Sequence, residues 1–129
     1  MPSGHIRFSK LLEQHLTHVV QKFVTSGQLL TPNLLRELRD AIRTTIVGIF
    51  SKSSRAPSLE AMNWLADEYF KAVNVATSEG TSSVAELIIH NEYKLSDMSY
   101  SDIELLHNLF NGTKMGAKLE QEYARRTIA

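Results

Sequence analysis

Arg36, Arg39 and Arg43 recur at i, i+3 and i+7, so any helix that carries them holds all three on one face. Guanidiniums in line can follow successive phosphates. Lys52 and Arg55, with the hydroxyls of Ser51, Ser53 and Ser54, come just beyond in a polar connector. These residue types hold a nucleic-acid backbone without reading bases, which makes Arg36, Arg39, Arg43, Lys52 and Arg55 the candidate polyanion-binding residues. Arginine also favours protein interfaces, and Glu37, Asp40 or neighbouring subunits could satisfy the same face. A second basic stripe, Lys114, Lys118 and Arg125, has the same two readings and is assigned here to an interface.

Other candidate chemistry is thin. His15 and His18 sit three apart, but no third ligand has a telling spacing, so no metal site is expected. The adjacent carboxylates Asp67 and Glu68 diverge on a helix, which argues against a general acid/base pair. The six glycines are isolated and form no phosphate loop, and the absence of cysteine removes thiolate zinc sites, disulfides and cysteine nucleophiles. Asn111-Gly112-Thr113 fits a glycosylation sequon but reads as a helix stop. Neither an enzyme nor a cofactor is expected.

The elements that position these residues are helical. Phe8, Leu11, Leu12, Leu16, Val19, Val20 and Phe23 have the three-and-four spacing of an amphipathic helix over Phe8 to Val24, with Ser9 as its cap and Gly27 as its stop. Thr31 as N-cap, Pro32 in the first turn and Leu30 as a staple start a second helix that reaches Phe50, with Leu35, Leu38, Ile42, Thr45, Ile46 and Ile49 as its buried stripe. The arginines lie opposite that stripe. Ser58 caps a third helix from Leu59 to about Ala76. Trp64 falls outside its apolar arc, between Glu68 and Lys71, and is expected in a subunit interface, where an indole on a polar flank is a common hot spot, with the edge of its own chain's core as the alternative.

A flexible turn over Ser78 to Ser82 precedes a short fourth helix marked by Ser83 and Glu86 and carrying Leu87, Ile88 and Ile89. Ser99 caps a fifth, with Met98 and Ile103 as its staple, and Gly112 stops it. The last helix covers about Lys114 to Thr127. Apart from a weak run over Val73 to Val75, no strand alternation is visible. The expected architecture is all-α: one compact, oligomeric domain of five or six helices spanning residues 1–129.

The 129 residues, 43% hydrophobic and 22% charged, suit one soluble globular domain. No run approaches the roughly 18 apolar residues of a membrane helix, and the start lacks the apolar segment of a secretory signal, so a cytoplasmic or virion location is expected. The net charge of zero conceals a segregation. Residues 1–56 hold eight basic against three acidic groups, a net of +5. Residues 57–113 hold two against nine, a net of −7, and residues 114–129 four against two, a net of +2. Such polarity serves either a basic face for a polyanion or complementary faces between copies, unless folding mixes the segments.

Thr31-Pro32-Asn33-Leu34-Leu35 running into the arginine-studded helix, followed by Ser58-Leu59-Glu60-Ala61-Met62-Asn63-Trp64-Leu65-Ala66, resembles the small terminase proteins of tailed-phage DNA-packaging machines over about residues 31–75. The resemblance implies a ring-forming, non-catalytic homo-oligomer that presents double-stranded DNA to a larger packaging ATPase or portal-type protein. Members usually carry an N-terminal helix-turn-helix, and the six-residue link Ser26 to Thr31 is longer than such a turn. Two alternatives stand beside it. One is a head-completion or adaptor protein without direct DNA contact. The other is a dimeric helix-turn-helix regulator built on the fourth and fifth helices, although Asp102 and Glu104 would repel phosphates at the start of its reading helix.

Overall fold

The computed structural model describes residues 4–24, 31–53, 55–77, 80–87 and 93–128. It begins with α1 (Gly4–Val24), which starts four residues earlier than its apolar period indicates. Ser9 therefore lies inside the helix and is buried rather than capping it. The Phe8 ring packs against Phe50 at 5.0 Å and edge-on to Phe110 at 6.2 Å. Aromatic pairs of this kind contribute about 0.5–1.5 kcal/mol beyond the area they bury. Gly27 and Leu30 lie outside the described residues.

Helix α2 (Pro32–Ser51) starts where its signals place it, with the Leu34 N–H donating to the Thr31 hydroxyl at 3.2 Å and proline in the first turn. Leu38, Ile42, Ile46 and Phe50 form its buried stripe. Phe8 meets Phe50 at one end of the α1–α2 pair, while Leu16 and Val20 share a cavity with Ile42 farther along, so the two helices run antiparallel.

Helix α3 (Leu59–Lys71) is capped by Ser58, whose hydroxyl accepts from the Ala61 N–H. Asp102 supports this start from a distant part of the sequence: the Ser58 N–H donates to its Oδ1 at 2.9 Å and the Ser58 hydroxyl to its Oδ2 at 2.6 Å. Ala61, Trp64, Leu65, Ala66, Asp67, Glu68 and Phe70 are all buried, so α3 is enclosed on several sides and lies at the centre of the core.

The helical period of the third helix points to an end near Ala76, but α3 stops at Lys71. An antiparallel hairpin follows instead, β1 (Asn74–Thr77) with β2 (Gly80–Ser83), in which Val75 pairs with Ser82. β-Branched Val73, Val75 and Thr77 recur every second residue, Val75 points into the core, and Gly80 takes φ +125 next to the connection. Among the described residues the fold is thus mostly helical with one small sheet, not purely α.

Helix α4 (Val84–Leu87) starts directly after the hairpin, and Ile88 and Ile89 lie outside the described residues. After a 3-10 turn over Leu95–Asp97, Ser99 caps α5 (Tyr100–Leu109), and Met98 and Ile103 are both buried as a staple requires. Gly112, at φ +85, ends that helix, and Thr113 caps α6 (Lys114–Ile128) by accepting from the Gly116 N–H at 2.9 Å. A Cβ on Gly116 would stand 2.0 Å from the Phe110 carbonyl oxygen, so only glycine permits this approach of α6 to the end of α5. At the far end of α6, the Arg126 guanidinium donates to the carbonyls of Met98, Leu95 and Ser96. No helix among the described residues is long and apolar enough to cross a membrane.

Candidate interaction surface

The arginine stripe of α2 does not form a solvent face. Arg39 donates through Nε and Nη2 to the two oxygens of Asp67 on α3, both at 2.8 Å, and Arg43 Nη2 donates to Asp67 Oδ1 at 3.3 Å. The Arg39 guanidinium also lies 5.8 Å above the Phe70 ring centre. Asp67 is 1% exposed, against 17% and 19% for the two arginine side chains. Spacing put the three arginines on one face, but that face borders α3, and a buried carboxylate requires this pairing. Only Arg36 of the three is exposed.

Lys52 and Arg55 are exposed at the other end of α2. Sixteen residues separate Arg36 from Lys52, about 24 Å along the axis and about 160° around it. The five expected residues are therefore not brought together as one stripe.

Trp64 is 3% exposed and belongs to the core of its own chain, which corrects its expected place in a subunit interface. Its flank looks polar in the sequence because Asp67, Glu68 and Lys71 lie on it. Asp67 and Glu68 are themselves buried, the second paired with Lys71 at 2.7 Å and with Lys118 at 2.5 Å. With the carboxylates neutralised from other helices, the indole beside them is interior.

The second basic stripe is divided in the same way. Lys118 ties α6 to α3 through Glu68, Arg125 pairs with Glu122 one turn back, and Lys114 is exposed. Hydrogen bonds from Arg125 and then Arg126 hold the Glu122 carboxyl below the usual carboxylate range. Folding thus pairs the acidic middle segment with basic groups from both ends, consuming within one copy part of the charge polarity of the sequence.

Among the described residues, three surface features bear on function. The first is a groove of about 660 Å³ between α1 and α2, lined by Phe8, Leu11, Ile49 and Gly48, with Lys52 and His15 among its polar residues. Leu11 is 46% exposed there. The sequence signal for it is the uncharged run Thr44 to Phe50, which continues past the arginines and which a helical period assigns only to the core. His15 and His18 are both exposed on α1.

The second is a cavity of about 440 Å³ bordered by Ser9, Glu13, Glu68, Tyr69, Lys114 and Met115. Burial, and then the Glu13 charge, push the Tyr69 hydroxyl up to about 12. The third is a ladder of rings on α5 and α6. Tyr100 stacks on Tyr123 at 5.7 Å, Tyr123 stacks on His107 at 4.7 Å, and His107 contacts Glu120. A hydrogen bond with Tyr123 is the main cause that pushes the Tyr100 hydroxyl up to about 12. No family model, curated protein or solved structure matches this chain.

Proposed function

We propose that this chain is a non-enzymatic, self-assembling helical subunit of a tailed-phage DNA-packaging or virion assembly, working through protein contacts. The observation that carries the self-assembly is the open α1–α2 groove, which leaves Leu11 and parts of Phe8 and Ile49 in contact with water. Covering these wet apolar side chains with those of a partner removes apolar area from water, which favours association. The phage setting rests on the resemblance of residues 31–75 to small terminase proteins. Sedimentation velocity of the intact chain over a wide concentration range tests the assembly. A defined oligomer supports the reading, and a chain that stays monomeric throughout overturns it.

Direct DNA contact is a second reading, favoured by the exposed Lys52 and Arg55 beside the hydroxyls of Ser51 and Ser53. Changing Arg36, Lys52 and Arg55 together to Gln should then weaken duplex binding and flatten its salt dependence, by about 0.9 in log–log slope for each phosphate no longer neutralised. Unchanged affinity and slope would show that these residues do not contact DNA, and a parent chain with no duplex binding would leave an adaptor role.

A further inference from the structure

Two features of the described surface fit one another. One is the α1–α2 groove, with Phe8, Leu11 and Ile49 as its apolar lining and Lys52 as its cation. Gly48 leaves a gap in its wall: a Cβ built there meets nothing within 4 Å. The other is Leu59, the first residue of α3, which is 60% exposed. Its own helix does not need it, because Ser58 already caps that start, and Glu60 beside it is also exposed.

We propose that the groove receives the start of α3 from a second copy of this chain, Leu59 entering over Gly48 and Glu60 meeting Lys52, an assignment that rests on the self-assembly proposed above. The charges fit. Lys52 at the groove and Arg55 three residues on are both exposed, and so is Glu60 beside Leu59. An exposed Lys–Glu pair adds little affinity but selects a register.

The large exposed apolar residues among those described are Leu11, Leu59 and Tyr100. Leu11 is part of the groove, and the Tyr100 ring is stacked on Tyr123, which leaves Leu59 as the residue available to enter. A contact between unlike surfaces leaves each copy with a further groove or a further Leu59 to offer, so it closes into a ring or pairs reciprocally in a dimer.

Sedimentation velocity on the full chain and two single variants tests this. Leu59→Ser removes the inserted side chain at an exposed position, and Gly48→Leu fills the groove. Each should raise the concentration needed for assembly by about tenfold or more while the far-ultraviolet circular dichroism stays that of the parent. Mixing the two variants should restore a one-to-one dimer, because the Leu59→Ser copy keeps an open groove and the Gly48→Leu copy keeps its Leu59. An oligomer that neither variant weakens overturns this contact and leaves self-assembly through another surface. A parent chain that is monomeric at every concentration overturns both.

Discussion

Helix α2 divides into two stretches that meet their surroundings differently. Between Arg36 and Arg43 it is rich in charge, yet two of its three arginines are committed to Asp67 on α3. From Thr44 to Phe50 it carries no charge, yet this is where it borders the open groove. Two arginines of the charged stretch thus turn inward, while Gly48 and Ile49 of the uncharged stretch border water beside the buried Ile46 and Phe50, so residue type alone does not predict which groups are wet. Whether a helix face is wet depends on what the rest of the chain places against it.

The largest test of that contrast is Asp67→Asn, which leaves two guanidiniums facing a neutral group in a nearly dry site. Removing one partner of a buried ion pair costs about 3–5 kcal/mol. The urea midpoint should therefore fall sharply at unchanged slope. Arg36→Gln, one turn away but exposed, should stay within about 0.5 kcal/mol of the parent. Equal effects from the two changes would erase the distinction between the clamped and the exposed arginines.

A smaller effect of opposite sign is expected on the groove side. Gly48→Ala adds a methyl group where nothing stands within 4 Å and should stabilise the monomer by about 0.5–1 kcal/mol through helix propensity. Thermal unfolding at a concentration too low for assembly reads it, and a lowered midpoint would mean that the groove is filled in solution.

The smallest effect belongs to α6, where Glu122 repeats the two-arginine arrangement of Asp67 nearer to water. Its lowered folded pKa means that the contribution is present above the unfolded value of about 4.3. It is lost as pH falls through the folded value. Glu122→Gln should therefore lose less stability than the parent on acidification below about pH 4. Superimposable acid profiles would show that the arginines do not hold this carboxylate.

Helix starts are legible in the sequence because capping is local: Thr31, Ser58 and Ser99 each accept from an N–H three residues on. The place of Trp64 is not, because its burial depends on Arg39, Arg43 and Lys118, which neutralise the neighbouring carboxylates from 24 to 50 residues away. The hairpin is half legible. Alternation at Val73 and Val75 hints at a strand, but ending α3 at Lys71 brings Val75 into the core, a tertiary gain invisible in a helical period. The groove is hidden because an uncharged run reads as core until the neighbouring helix is seen to leave it uncovered.

The Asp67 clamp also bears on how the fold responds to heat. Hydration of charged groups becomes less favourable as water warms, so the penalty for keeping Asp67 dry shrinks while the gain from apolar burial levels off. The ion pairing of α2 with α3 consequently gains on warming relative to the apolar packing around it.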